Sequence, residues 1–183
     1  SRFADVGFAS VWTNAPRGVG FMTVASDGAK SFVAQAGEIA PDGVSTFNQY
    51  IASSDLIPVN SQGEITFRAY IDTVTGREEA LFAGTAGDLR ELARVGQSPD
   101  GESASITDID TLDINESGRV AFVASYLYNT RSMLWLEDSD LSGNVRLIME
   151  KGQELDLPGV VIREFGDVVM NGEHELAVEV LLD

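Results

Sequence analysis

Asn115-Glu-Ser-Gly118-Arg-Val-Ala-Phe122 is the stretch that decides the fold, because the chain contains it in three versions. The other two are Asn60-Ser-Gln-Gly63-Glu-Ile-Thr-Phe67 and Asn171-Gly-Glu-His174-Glu-Leu-Ala-Val178, so the leading asparagines are 55 and then 56 residues apart. A period of this length is typical of arrays built from one supersecondary unit. The repeat therefore predicts a tandem array.

The residues on either side of each asparagine alternate between buried and solvated character, as expected for antiparallel strands. Between the two strands, N-x-x-G supplies a tight turn, because Asn bonds its own backbone and Gly takes positive φ without steric cost. Each phrase thus predicts a hairpin, whose strands we label a and b. The alternating residues of strand a are Ile57 and Val59, Leu112 and Ile114, Val168 and Met170; those of strand b are Ile65, Phe67 and Ala69, Val120, Phe122 and Ala124, Leu176, Val178 and Val180.

Two further strands follow each hairpin. Residues 79–83 and 132–136 are predicted as strand c, and residues 89–93 and 145–149 as strand d. No window carries a helical period. The sequence therefore predicts an all-β chain of tandem four-stranded antiparallel units, which is β-propeller-like in unit size. A Gly-Glx marker closes each strand d, at Gly37-Glu38, Gly96-Gln97 and Gly152-Gln153.

The predicted units form a single repeat array, with three units and a partial fourth. A shift of 59 residues places Phe8 on Phe67 and Gly37 on Gly96, so the chain starts at an a–b turn and stops after a fourth a–b hairpin. Three units fall short of the roughly 4 to 8 blades of a closed propeller. The chain could be a fragment of a longer propeller, half of a larger ring, or an open array. The predicted units are 1–59, 60–114, 115–170 and the partial unit 171–183.

An open array leaves an unpaired edge on its last strand b, and such an edge is a template for another strand. We therefore predict self-association through Leu176, Val178 and Val180, with Phe8 at the receiving end. A head-to-tail contact of this kind that fails to close produces a filament, and one that closes produces a ring.

The repeated phrase resembles the bacterial tandem repeat N-x-x-G-x-x-A-F, which occurs in secreted proteins with varied C-terminal anchors. Residues 115–122 match that consensus fully, residues 60–67 carry Thr66 in place of Ala, and residues 171–178 carry His174 and Val178 in place of Gly and Phe. The resemblance implies an exported protein, extracellular or on the cell surface, with a propeller-like fold. It implies no assigned chemistry, so no active-site residue is carried over.

Composition narrows the range of partners. The 29 acidic and 12 basic residues give a net charge of −17, which repels phosphate backbones and disfavours nucleic acid as a partner. The absence of cysteine excludes a disulfide framework, thiolate metal sites and a cysteine nucleophile. No run approaches the ~20 apolar residues of a membrane-spanning helix, so no membrane span is predicted.

Two groups of polar residues are candidates for chemistry. Asp138, Asp140 and Ser142 resemble the start of a calcium loop, but Arg146 and Met149 stand where the closing ligands belong, which favours a plain hairpin. Asp108 and Asp110 would share one face of a regular strand, as paired acids of a hydrolase must.

Several single residues are also candidates for a function. His174 is the only histidine and occupies the Gly position of a turn, so we interpret it as a turn residue rather than a catalytic base. Trp12, Tyr126 and Tyr128 lie near predicted loops and are the first choices for a binding surface, for example for a glycan. Phe67, Phe82, Phe122 and Trp135 recur at matching strand positions and are predicted to be core.

The sequence thus predicts a non-enzymatic, exported structural or adhesive module that associates with copies of itself and needs no cofactor. Two alternatives stay open: a propeller that binds a glycan or calcium, and a hydrolase that uses Asp108 and Asp110.

Overall fold

The computed structural model describes residues 7–8, 20–24, 27–48, 57–98, 104–126, 130–172 and 175–183. The regular secondary structure of these residues consists of β-strands, which confirms the all-β prediction. The strands are β1 (Gly7–Phe8), β2 (Gly20–Val24), β3 (Lys30–Gln35), β4 (Thr46–Phe47), β5 (Ile65–Thr73), β6 (Gly76–Thr85), β7 (Asp88–Arg94), β8 (Ile106–Ile114), β9 (Val120–Tyr126), β10 (Arg131–Glu137), β11 (Val145–Glu150), β12 (Ile162–Met170) and β13 (Leu176–Leu182).

These strands form four antiparallel meanders, in which chain neighbours are also sheet neighbours. Sheet 1 is β1-β2-β3, sheet 2 is β4-β5-β6-β7, sheet 3 is β8-β9-β10-β11 and sheet 4 is β12-β13. Sheets 2 and 3 contain strands a, b, c and d in the predicted order. In the described residues, sheet 1 contains strands b, c and d, and sheet 4 contains strands a and b. Sheets 2, 3 and 4 therefore begin with strand a, whereas the predicted sequence units begin at the asparagine that follows it.

The chain divides into two compact units, Ser1–Glu91 and Leu92–Asp183. In the first unit, sheets 1 and 2 share an apolar core that removes large side chains from water, which is the dominant stabilising term in folding. The Phe67 ring lies 3.9 Å from the Phe21 ring and 5.7 Å from the Phe82 ring, between centroids. The buried members of this core are Phe21, Val33, Ala34, Ala40, Phe47, Ile65, Phe67, Ala69, Ile71, Ala80 and Phe82.

In the second unit, sheets 3 and 4 share a core in the same manner. Sheet 3 contributes Ala121, Val123, Leu134 and Leu136, and sheet 4 contributes Val168 and Met170 with Leu176 and Val178 packed beside them. Val178 of sheet 4 and Phe67 of sheet 2 are equivalent in the repeat, and each faces the sheet that precedes its own in the chain. Within each unit, the second sheet therefore presents the equivalent face of its strand b to the first sheet.

The repeated asparagine organises the turn between strands a and b. The Asn115 Oδ1 atom accepts hydrogen bonds from the backbone amides of Ser117 and Arg119, both at 3.0 Å. Asn60 does the same for Gln62 and Glu64, at 3.1 and 3.0 Å. The turn ends at a glycine with positive φ, 80° at Gly63 and 85° at Gly118, where a Cβ atom would be strained. The side chain satisfies turn amides that no strand can reach.

The Gly-Glx marker joins the end of one strand d to the start of the next strand a through backbone hydrogen bonds. The Gly152 amide donates to the Ile162 carbonyl at 2.7 Å, and the Ile162 amide donates to the Gln153 carbonyl at 3.0 Å. The same two bonds link Gly37 and Glu38 to Phe47, and Gly96 and Gln97 to Ile106. We call this three-residue arrangement the Gly-Glx joint. Its glycine has φ of 87°, 91° and 87° at the three sites.

Strand a is longer than predicted, and its irregularity explains the difference. In β8 and β12 the pairing with strand b shifts at two places, and bulges there break the period-two pattern. The shifts recur 56 residues apart, so the bulges belong to the repeat. They lie between Ile106 and Asp108 and between Ile109 and Leu112, and again between Ile162 and Glu164 and between Phe165 and Val168.

Two predictions about the first half of the chain are wrong. Residues 57–60 do not form a continuous strand a: Val59 makes an isolated bridge to Ile65, while β4 pairs with the far end of β5. Phe8 pairs with Thr23, and the equivalent pair in sheet 3 is Ala121 with Leu136. Phe8 therefore takes the place of Ala121, one residue away from the predicted place of Phe122. The prediction assumed one fixed spacing between strand b and the Gly-Glx marker, but this spacing varies: Phe122 and Gly152 are 30 residues apart, whereas Phe67 and Gly96 are 29.

Candidate interaction site at strand β13

Strand β13 has one edge that pairs with β12 and a second edge that pairs with no strand among the described residues. The Asp183 amide donates to Val161 of the β12 side at 3.2 Å, and the Glu175 carbonyl accepts from Asn171 at 3.1 Å. Since alternate residues of a strand direct their backbone groups to the same neighbour, the odd-numbered residues face β12. The amides and carbonyls of the even-numbered residues point to the second edge; these residues are Leu176, Val178, Val180 and Leu182.

One face of sheet 4 is packed and the other is exposed. Val168 and Met170 lie in the core with sheet 3, and Leu176 and Val178 pack beside them. On the other face, Val169 is 58% exposed, its pairing partner Ala177 is exposed, and Leu181 is 49% exposed, with Glu179 between Ala177 and Leu181. Exposed apolar surface that is grouped on one face often marks an interaction site. We call Val169, Ala177 and Leu181 the outer face.

Sheet 3 shows how the same face is used when a further sheet covers it. Ala121 and Val123 of β9 are equivalent to Ala177 and Glu179 of β13, and both are buried in the core with sheet 4. The Asp113 carboxylate, equivalent to Val169, accepts a hydrogen bond from the Met170 amide at 2.7 Å. The outer face of sheet 4 is therefore the repeat of a face that forms an interface in sheet 3.

The predicted self-association residues lie at this site in a particular way. Leu176, Val178 and Val180 have half-buried side chains on the packed face, while their backbone groups point to the unpaired edge. At the predicted positions, the backbone groups are therefore more accessible to a further strand than the side chains are. The outer face itself was not predicted, although apolar residues at both odd and even positions of Leu-Ala-Val-Glu-Val-Leu-Leu were the signal for it.

The calcium candidates Asp138, Asp140 and Ser142 lie in the β10–β11 hairpin. The Asp138 amide donates to the Asn144 carbonyl at 2.9 Å, and the Asp138 Oδ1 atom lies 3.9 Å from the Arg146 Nε atom. The Ser142 hydroxyl donates to Asp140 at 2.7 Å, and this bond, followed by the one from the Ser142 amide, lowers the pKa of Asp140. In the described part of the chain, no group of three or more His, Cys, Asp or Glu residues is placed to hold a metal ion. Calcium binding here stays a prediction.

The paired-acid candidates Asp108 and Asp110 lie on β8, where a bulge interrupts the regular alternation that placed them on one face. The Asp108 Oδ1 atom accepts from the amide of Ile109 at 2.8 Å. The Asp110 Oδ2 atom accepts from the hydroxyl of Ser125 at 2.7 Å. Asp108 thus bonds within β8 and Asp110 bonds across to β9, and the hydrolase hypothesis gains no support from this geometry.

Of the aromatic residues named above, some lie in the core and others lie outside the described residues. Tyr126, predicted for a binding surface, is 0% exposed, so that prediction is wrong: β9 continues to Tyr126, which pairs with Ile106 and Arg131. Trp12, Tyr128 and His174 lie outside the described residues. The prediction of core positions is confirmed for Phe67, Phe82, Phe122 and Trp135, each at most 1% exposed.

The chain belongs to DUF7453, a family of unknown function, whose model matches residues 5–179. No match to a curated protein or to a solved structure was found. Among the described residues, none forms a helix with the length and hydropathy needed to cross a membrane. The matched residues include parts of all four sheets.

Proposed function

We propose that this chain is a non-enzymatic structural or adhesive module, propeller-like in the arrangement of its sheets, that is exported and associates with copies of itself through β13. The observation that carries the proposal is the edge of β13 that no described strand pairs with, beside the exposed outer face. The export and the cell-surface location rest on the resemblance of the repeat to N-x-x-G-x-x-A-F proteins.

The propeller-like arrangement is supported by two features. Sheets 2 and 3 are four-stranded meanders, which is the composition of a propeller blade. The Gly-Glx joint connects the last strand of one meander to the first strand of the next with the same two backbone bonds at three places. Within each compact unit, successive sheets pack face to face around one core.

The edge of β13 has little of the protection that monomeric proteins give to such strands. Natural edges are blunted by proline, by lysine, by bulges or by short length. β13 has seven residues, contains neither proline nor lysine, and shows register shifts only on its partner β12. Its single charged residue is Glu179. A long strand of Val, Leu and Ala with an open ladder suits strand addition, in which backbone bonds provide affinity.

The test is a substitution that removes one hydrogen-bond donor from the unpaired edge. The Val180 amide points away from β12, so Val180→Pro removes no bond of the β12–β13 ladder, and proline is tolerated at such edge positions. We expect the wild-type chain to show concentration-dependent dimers or larger species in light scattering, and the Val180→Pro variant to stay monomeric with a nearly unchanged melting temperature.

The matched control is Val180→Ala, which trims the same side chain but keeps the amide. It is expected to associate much as the wild type does. A wild-type chain that remains monomeric over the whole concentration range, or a Val180→Pro variant that associates as well as Val180→Ala, contradicts the proposal.

A further inference from the structure

We infer that Asn171 is a self-modification site, at which the Gly172 amide nitrogen displaces the side-chain amide of Asn171 and water completes the conversion to an acid. Asn171-Gly172 is the single Asn-Gly step in the 183-residue sequence. Glycine has no Cβ atom, so its backbone allows a close approach that other residues hinder. The inference stands apart from self-association, because the reaction takes place within one chain.

The reaction is an intramolecular displacement followed by hydrolysis. The Gly172 amide nitrogen gives up its proton and bonds to the Asn171 Cγ atom, while the bond from Cγ to Nδ2 breaks and ammonia leaves with that proton. The nitrogen and the carbon belong to adjacent residues, and such proximity favours the closure of a five-membered cyclic imide. Water then opens the ring. Aspartate results when the bond from Cγ to nitrogen breaks, and isoaspartate results when the bond from the main-chain carbonyl carbon to nitrogen breaks.

Exposure distinguishes Asn171 from the two equivalent turn asparagines. Asn60 is 3% exposed and Asn115 is 2% exposed, whereas Asn171 and Gly172 are both exposed. The Asn171 Nδ2 atom donates to Glu175 Oε2 at 2.6 Å, and its Oδ1 atom accepts from the Glu175 amide at 2.9 Å. Water can replace both bonds, so the side chain turns toward the Gly172 nitrogen at low cost. The same motion of Asn60 or Asn115 leaves buried turn amides unsatisfied.

The backbone conformation does not require glycine at residue 172, in contrast to the turn glycines Gly63 and Gly118. Those two residues have φ of 80° and 85°, whereas the φ of Gly172 lies outside the left-handed region. A Cβ atom on Gly172 would lie 3.5 Å from the Glu116 side chain, which is an ordinary contact. Gly172→Ala therefore keeps the fold, while its methyl group hinders ring closure.

Both products weaken the turn that precedes β13. Loss of Nδ2 removes the donor that holds Glu175 Oε2, so that a new carboxylate faces an existing one. Glu116 adds a further negative charge, since its side chain lies beside Gly172. Isoaspartate also inserts an extra carbon atom into the main chain between the Asn171 amide and the Glu175 carbonyl, which are hydrogen-bonded at 3.1 Å. The reaction therefore loosens the β12–β13 hairpin.

The test follows the full chain during incubation in warm, mildly alkaline buffer. Mass spectrometry of the peptides that contain Asn60 and Asn171 detects the exchange of an amide for an acid. We expect Asn171 to convert in the wild type and to convert many-fold more slowly in Gly172→Ala. Ser61→Gly is the matched control for exposure, because it places glycine after the buried Asn60. Asn60 in that variant should convert at least about tenfold more slowly than Asn171, since unsatisfied turn amides raise its barrier.

Three results would contradict parts of the inference. Asn171 that stays intact while a synthetic peptide of residues 168–175 converts, or Gly172→Ala that converts at the wild-type rate, overturns the site itself. Asn60 of Ser61→Gly that converts as fast as Asn171 overturns the role of exposure. Ion exchange separates the more acidic products from the unmodified chain, and we expect them to melt at a lower temperature than Gly172→Ala after the same incubation. Equal melting temperatures overturn the loosening of the hairpin.

Discussion

Strands β9 and β13 are the same strand of the repeat in two environments. Both follow an asparagine turn, and both pair with a strand a that carries the same two bulges. All seven residues of β9 are buried, whereas those of β13 are half-buried or exposed. β9 has β10 on its second edge and sheet 4 on its outer side. The repeated asparagine phrase therefore specifies a hairpin, while the neighbouring strands and sheets determine how much that hairpin contributes to stability.

The two strands also differ at one position that bears on solubility. Val123 of β9 is buried in the core with sheet 4, and its counterpart in β13 is Glu179. A side chain on Gly166 of β12 would collide with Glu179, so the glycine leaves space for the carboxylate. A charge that points into a would-be interface is a recognised device against unwanted strand pairing. Glu179 thus moderates the association that the rest of β13 favours.

The largest expected contrast is in the core. Phe122 is 0% exposed, so Phe122→Ala should lower the free energy of unfolding by about 3–5 kcal/mol. The equivalent Val178 is half-buried, and Val178→Ala should cost roughly 1 kcal/mol, because less surface and less cavity are involved. Urea unfolding followed by tryptophan fluorescence measures both values. Similar losses for the two variants would show that sheet 4 is as well packed as sheet 3.

A smaller contrast is expected at the turns. Asn115 is 2% exposed and bonds two turn amides, so Asn115→Ala leaves buried donors unsatisfied and should cost about 2–3 kcal/mol. Asn171 is exposed, and its Oδ1 atom accepts a hydrogen bond from the Glu175 amide. Water can replace that bond, and Asn171→Ala should cost at most about 1 kcal/mol. Thermal unfolding of both variants checks the difference, and an equal loss would contradict the role given to burial.

The smallest expected effect concerns Glu179. Glu179→Val restores the residue type of β9 and removes a charge from the outer face, so we expect association to tighten by several-fold, on the order of 1 kcal/mol. Sedimentation equilibrium measures the change, with Glu179→Gln as the control that removes the charge but stays polar. Unchanged or weaker association of Glu179→Val would mean that the outer face takes no part in the contact.

Much of the architecture could be predicted from the sequence, because the hairpins and strands c and d obey simple rules. The predicted strands at 79–83 and 145–149 lie within β6 and β11. The first halves of β8 and β12 escaped prediction, since their bulges place apolar residues out of period. The bulges of β8 also interrupt the period-two rule that had placed Asp108 and Asp110 on one face. The predicted place of Phe8 is one residue off for another reason, since the spacing from strand b to the Gly-Glx marker varies between units.

The site could be predicted only in part, for a related reason. The open edge of β13 follows from counting strands, which the repeat makes simple. The outer face could not be predicted, because β13 has apolar residues on both of its sides. The alternation of residues does not show which of the two sides the neighbouring sheet covers. Tyr126 shows the same limit: it stands near a predicted loop in sequence, yet the strand continues and buries it.

The Gly-Glx joint has a consequence for how such proteins change over generations. Its two bonds run between backbone atoms, and the residues at the start of the next strand are Phe47, Ile106 and Ile162, which differ in shape. A duplicated or deleted stretch of one whole period therefore recreates both bonds at the new junction without any matching substitution. The number of repeat units can therefore change in evolution by one whole unit at a time.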